Sequence, residues 1–429
     1  MRLTHSITAV LLLMAMASPA LALAQQVPAA PAATASQAVP LDEIRRYVTV
    51  FNAVRAAYVE PVSDTQLMQS AIRGLLLELD PHSSYLDAEQ AAAFDEQSRG
   101  AYEGIGVEVQ TLKDKVLRVI APIDGSPAAE AGVQAGDLIV AVDGRPMASI
   151  IDVEPLRGPA GSSVTLGVRR QGQDKELSIV VQRQTIRLSS VRSHLLEPGY
   201  GYVRISTFQT DTAADFSNQV KQLQEQAGSA LQGLVLDLRS NPGGLLTAAV
   251  QIADELLDEG AIVSTRGRLG SSDSAFSATA GQLLPGTAVM VLVDAGSASA
   301  SEVLAAALAD NHRARIIGSR TFGKGSVQSV LPLDNGDSIK LTTARYYTPN
   351  GRSIQAVGIA PDIVLKPQGE PLDAGNYREA GLSGHLQGED EQEQQPGGDF
   401  LPGPRPIEQA LQALKDLGSP ADTAAAAGD

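Results

Sequence analysis

The spacing of apolar residues changes twice along this chain, and each change marks a different kind of folding unit. Over residues 42–58 the apolar positions are Ile44, Val48, Phe51, Val54 and Ala57, which is helical spacing, and a second helical stretch covers 64–79. Pro81 ends it, because a proline disfavours helical backbone at the residue before it. From Gly104 to about Arg183 the period falls to two. Short strands are expected at 106–110, 116–120, 138–142, 163–169 and 176–181, with turns at Asp124-Gly125, Asp143-Gly144 and Gly161. From Gly201 to Pro367 strands and short helices alternate, which is the pattern of a layered α/β core. The whole therefore predicts an α/β core with an inserted, mostly β domain and an N-terminal helical segment, divided as 41–100, 101–183, 184–367 and 368–429. In the last stretch Glu389, Asp390, Glu391 and Glu393 crowd a run without apolar residues, read as solvated acidic linker, before a short amphipathic helix at 406–417.

Composition narrows what such a chain does. Met1, Arg2 and His5 precede an apolar run at 7–16 that is too short to span a bilayer, and Ala22-Leu23-Ala24 offers the small residues read by a signal peptidase. Residues 1–24 read as a cleaved secretory signal, with an uncleaved anchor as the alternative, and 25–40 as a flexible Ala/Pro/Gln/Ser leader. The chain has no Cys, which removes disulfides, thiolate nucleophiles and Cys metal sites, so a secreted product must be held by packing alone. Aromatics are 4% and Trp is absent, leaving Val, Leu, Ile and Ala to build the core. Lys and Arg total 33 against 49 acidic residues, a net charge of -16, which gives nucleic acid no general basic surface. The five His residues show no metal-ligand spacing, and neither a metal nor a cofactor is expected.

Three loops carry candidate chemistry. Asp294-Ala295-Gly296-Ser297-Ala298-Ser299-Ala300-Ser301-Glu302 joins an apolar strand to an Ala-rich helix. A Ser on such a turn serves either as a nucleophile, with a helix N–H facing the developing oxyanion, or simply as a helix cap. In Thr321-Phe322-Gly323-Lys324-Gly325-Ser326 the two glycines let the Lys324 ammonium turn inward, where desolvation favours the neutral amine and a role as general base. The spacing of a phosphate-binding loop is missing from this stretch. In Asp237-Leu238-Arg239-Ser240-Asn241-Pro242-Gly243-Gly244 the glycines either turn N–H groups toward a bound carbonyl or mark a tight turn.

These three motifs, in this order, resemble the carboxyl-terminal processing peptidases, also called tail-specific proteases, and the resemblance spans roughly 41–365. Asp80-Pro81-His82-Ser83 and Tyr347-Thr348-Pro349-Asn350-Gly351-Arg352 belong to it. It implies a serine endopeptidase with a Ser-Lys dyad. The family spacing selects Ser299, 25 residues before Lys324, with Gln328 four residues after it to position the Lys by hydrogen bonding. It also implies an oxyanion site formed by the N–H of Ala300 and that of Gly243 or Gly244. Ser297 and Ser301 remain alternative nucleophiles. A catalytically silent scaffold, and a transpeptidase or amidase using the same dyad, are the competing readings.

The strand-rich domain resembles a PDZ domain. Gly104, Ile105, Gly106 and Val107 match its carboxylate-binding loop, which implies capture of a substrate C-terminus by backbone N–H groups. The stretch between Asp143-Gly144 and Leu156-Arg157-Gly158 is shorter than usual, with Pro155 where a groove helix is expected, which is expected to alter the grip on peptide. Arg157 is read as a contact to the substrate carboxylate, a link to the active site, or an ordinary surface ion pair. The resemblance further implies a periplasmic location and unfolded or C-terminally exposed protein substrates, cell-wall hydrolases among them. It also implies a helical-repeat adaptor and a homo-oligomer formed through the N-terminal helices, whose apolar stripes fit intramolecular packing equally well.

Overall fold

The computed structural model describes residues 40–112, 115–147, 154–173, 175–367, 377–391 and 396–417. The expected signal, the leader up to residue 39, and residues 148–153 and 392–394 of the two segments discussed above lie outside the described residues. The chain divides into two compact units, Met1–Leu67 and Met68–Asp429. In the first, the helix Leu41–Ala57 is opened by Asp42 and Glu43 and closed by Arg55, charges that suit the helix dipole, yet none of its residues is buried. Its apolar stripe, including Ile44, Tyr47 and Val48, faces solvent.

The second unit is built on a six-stranded sheet ordered Val191–Glu197, Tyr200–Ile205, Gly233–Asp237, Ala288–Val293, Ala314–Gly318, Ile363–Val364. Its first pair is antiparallel and the rest are parallel. Alternation along the strands fills both faces. Leu234, Leu236, Val289, Val291 and Val293 pack with Phe216, Ile252 and Leu304 from the helices Thr212–Ala227, Leu246–Leu256 and Ala300–Asp310. Val235, Met290 and Leu292 point the other way, against Leu401, Ala410 and Leu414. The helix Arg405–Leu417 thus covers the second face of the sheet, and the C-terminal stretch read as linker plus helix is structural in its described parts.

A second sheet, antiparallel throughout, joins Ser84–Leu86, Ser338–Tyr347, Ala261–Gly267 and Ser274–Ser277, with Ser326–Pro332 paired to Ser338–Tyr347. The strand Ser84–Leu86 therefore belongs to this core, and the boundary drawn at residue 100 does not separate a helical domain from it. The strand-rich domain forms its own sheet from Val107–Thr111 to Leu177–Gln182, closed over Ile105, Leu117, Ile139, Leu166 and Val168. It leaves and rejoins the core through a two-stranded stalk, Ala101–Gly104 with Gln184–Arg187.

Candidate active site

Parallel strands place chemistry at their carboxyl ends. Gly233–Asp237 and Ala288–Val293 run side by side, so the loops after Asp237 and Val293 meet. They are tied together: Asp294 accepts the Ser240 N–H at 2.7 Å and the Gly296 N–H at 2.9 Å, and Asn241 O accepts the Ala298 N–H at 3.0 Å. Ser297 and Ser301 are fully buried, and their hydroxyls donate to Leu238 O (2.8 Å) and Asn241 O (2.9 Å). Both therefore do turn chemistry. Ser299 stands apart, with φ 56° and ψ -116° at the start of the helix Ala300–Asp310, a conformation costly for any side chain.

Glu302 holds that conformation. Completely buried, its carboxylate accepts the N–H groups of Ser299 (2.8 Å), Gly323 (2.7 Å) and Lys324 (2.9 Å) and the Thr321 hydroxyl (2.5 Å). One side chain thus staples the backbone of the Ser299 turn to that of the Lys324 loop. Burial pushes its carboxyl up to about 7, and the four donors act in the opposite direction. Ser299, Lys324 and Gln328 line one cavity of about 310 Å³, together with Gly244, Lys340 and Tyr346. Burial, then the neighbouring Lys340, push the Lys324 ammonium below its ordinary range, while Glu379, Glu302 and Asp80 pull it back. Tyr346 is pushed up to about 12 by burial, with the Ser299 side chain acting in the opposite direction. Gln328 donates from Nε2 to Ser326 Oγ (3.0 Å) and Thr342 Oγ1 (3.2 Å).

The two glycines separate in role. The Gly243 N–H is taken by Asn241 Oδ1 at 2.9 Å, and a Cβ there would lie 2.8 Å from Ser299 Cβ, so Gly243 gives the Ser299 side chain room. Gly244 lines the cavity, at φ 135°. Ala300 opens the helix, where backbone N–H groups have no intrahelical partner.

In the strand-rich domain, Ile105, Gly106, Val107 and Arg157 line a cavity of about 130 Å³. Gly104 borders it through a bridge to Arg157. Arg157 lies over the Tyr102 ring, 4.9 Å from its centroid, and pairs with Glu96 at 2.5 Å. Glu96 sits on the helix Ala88–Arg99, whose Phe94, Gln97 and Ser98 form a wall of the Ser299 cavity. Among the described residues no cluster of three or more His, Asp or Glu is arranged to hold a metal.

A model for peptidase family S41 matches residues 199–365, one for PDZ domains matches 118–170, and one for the N-terminal domain of the activating protease CtpB matches 9–90. A carboxy-terminal-processing protease of Bartonella bacilliformis is 42% identical over 365 residues, which is 83% of this chain and 83% of that one. The chain belongs to this protease family. Carboxy-terminal processing protease CtpB of Bacillus subtilis is 36% identical over 349 residues, 79% of this chain and 71% of its own. A carboxyl-terminal-processing protease of Synechocystis is 38% identical over 323 residues, 73% and 74% of the two chains. The protein is a serine endopeptidase of the C-terminal-processing type with a PDZ domain, and its fold is the expected α/β core with an inserted β domain. Sequence reasoning passed over Glu302 in this protease, although Ser299-Ala300-Ser301-Glu302 carries the Ser-x-x-Glu spacing of a capping box. Lys340 and Tyr346 gave no such signal, since strand pairing alone brings them to the cavity.

Proposed function

We propose that Ser299 is the nucleophile and Lys324 its general base. The neutral Lys324 amine takes the hydroxyl proton as Ser299 Oγ bonds to the scissile carbonyl carbon. The Ala300 and Gly244 N–H groups stabilise the oxyanion, and the protonated Lys324 returns its proton to the leaving amine as the C–N bond breaks. Water then attacks the acyl-enzyme by the same route, with Lys324 again accepting a proton and Ser299 leaving as the alcohol. Gln328 acts at one remove, ordering Thr342 and Ser326 beside the base.

The observation that carries this reading is the Glu302 staple, which holds the backbones of Ser299 and Lys324 on one carboxylate beside a shared cavity. A Ser-directed fluorophosphonate tests it by intact mass. One adduct is expected on the parent, none on Ser299→Ala, and a rate at least about a hundredfold lower on Lys324→Ala. A catalytically silent scaffold would take up no reagent, and labelling of Ser299→Ala would move the nucleophile elsewhere.

The PDZ groove is assigned to a substrate C-terminus, with Arg157 joining the occupied groove to the cavity wall through Glu96. Its substrates are unfolded or C-terminally exposed proteins, cell-wall hydrolases among them, delivered by a helical-repeat adaptor. The exposed stripe of the helix Leu41–Ala57 is assigned to a homo-oligomer. Membership of the family and the apolar N-terminal run accord with a secreted, non-cytoplasmic protein, and we place it in the periplasm.

A further inference from the structure

Beyond the part matched to peptidase family S41, which ends at residue 365, the described segment 377–391 returns to the active site. Glu379 is completely buried, and its N–H donates to Phe322 O at 3.0 Å. Its carboxylate accepts Gln355 Nε2 at 2.9 Å and contacts His82 Nε2 at 2.8 and 3.0 Å. Gln355, also completely buried, accepts the Gly325 N–H on Oε1 at 3.0 Å. The Lys324 loop is therefore bonded on both flanks to one residue, at Phe322 by the Glu379 backbone N–H and at Gly325 by the Glu379 carboxylate through Gln355. Gly325 has no room for a side chain, since a Cβ there would lie 2.3 Å from Gln355 N.

His82 closes the circuit on the opposite side. Its own N–H and that of Ser83 donate to Asp80 Oδ1, both at 2.9 Å. The Thr342 hydroxyl donates to the same oxygen at 3.0 Å and accepts from Gln328 at 3.2 Å. Two arms, Glu379–Gln355–Gly325 and Asp80–Thr342–Gln328, thus meet at the segment Asp80-Pro81-His82-Ser83, and the carboxylate at the root of each acts on the Lys324 ammonium.

We propose that Glu379 and His82 form a latch that positions the Lys324 loop, making the segment 377–391 a strap against that loop. Both are positioning residues, since neither is placed to touch the scissile bond. The proposal rests on Lys324 being the base.

The test uses the full chain and a quenched fluorescent peptide with a free apolar C-terminus. Four carboxylate or ammonium groups act on Lys324: Lys340, Glu379, Glu302 and Asp80. Removing the Glu379 charge withdraws a field that favours the ammonium, so in Glu379→Gln the acid limb of the kcat profile should move to lower pH, by about half a unit. The plateau kcat should fall about tenfold with KM within about twofold. A folded Glu379→Gln variant with the parental kcat and limb overturns the latch, as does a loss of activity proportional to lost folded protein with the limb unmoved. Should Glu379→Gln fail to fold, His82 decides. His82→Ala should lose about tenfold in kcat and His82→Gln, which retains a donor to Glu379, should recover most of it; equal activity in all three overturns the latch. Ser299→Ala and Lys324→Ala run alongside, because activity in either would undo the dyad itself, whereas dependence on both with an indifferent Glu379 undoes only the latch.

Discussion

Ser299 carries a backbone conformation that costs roughly 1–3 kcal/mol in a residue with a side chain, and it persists because Glu302 bonds it from within the fold. Glu302→Gln places an amide among groups that all donate, so at least one buried N–H or O–H loses its acceptor. Stability should fall by about 1–3 kcal/mol and kcat by about a hundredfold, read from a denaturant melt and steady-state kinetics. Lys324 gives the matching pH prediction. Its ammonium is depressed by burial, and the base must be neutral, so kcat/KM should rise with pH through that lowered value and level off below the ordinary 10.5. The sign for stability follows. Between the two values the unfolded chain binds more protons than the native one, so stability should climb with pH toward 10.5. Lys324→Met should abolish activity, flatten that slope and raise the thermal midpoint at neutral pH, a stability–function trade-off that calorimetry would read. At this scale the sequence marked Ser299 and Lys324 as candidates, because small residues around a Ser and glycines around a Lys leave a local mark, one that a helix-capping Ser would leave as well. It did not disclose which glycine N–H is free, since Asn241 captures that of Gly243 across a turn whose shape only the fold settles.

The elements that meet at the site come from distant parts of the chain, and the helix Ala88–Arg99 lines the Ser299 cavity while its Glu96 pairs with Arg157 of the groove cavity. Arg157 and Glu96 are half-exposed, so their ion pair adds less than about 1 kcal/mol to stability. If the pair relays groove occupancy, Arg157→Glu should raise KM several-fold for a peptide ending in a free carboxylate and leave the melting temperature almost unchanged. Adding Glu96→Arg should restore the parental KM, and a double variant no better than the single would sever the link. The C-terminal helix bears weight of another kind. Leu414 packs onto Gly233, where a Cβ would lie 2.7 Å from its Cδ2, and onto Val235 and Met290. Leu414→Ala should cost about 2–4 kcal/mol in a urea titration. The α/β strands were legible because each is a short apolar run bounded by turn residues. The strands Ser84–Leu86 and Val191–Glu197 were not, since one is three residues long and the other alternates with polar side chains. In its described residues the acidic stretch near Glu389 is the largely exposed loop that its composition predicts, tied down where Glu389 accepts the Tyr347 hydroxyl at 2.6 Å and Glu391 pairs with His385 at 3.0 Å.

At the scale of the molecule, the chain spends its apolar residues unevenly. The sheet of Met68–Asp429 is sealed on both faces, whereas the helix Leu41–Ala57 buries nothing. A helix of that length is marginal in water without a partner for its stripe. Joint replacement of Ile44 and Val48 by Glu should therefore shift the mature protein to a smaller species in sedimentation velocity, and an unchanged species would remove this helix from the interface. The sequence foretold the stripe and left its cover open, because periodicity reports a buried face and never what buries it. The central claim concerns Ser299, and its most direct measurement is a time course of intact mass for an unfolded casein incubated with the mature protein or with Ser299→Ala. Fragments from the parent alone are the predicted result. Equal fragments from both would contradict Ser299 as the nucleophile.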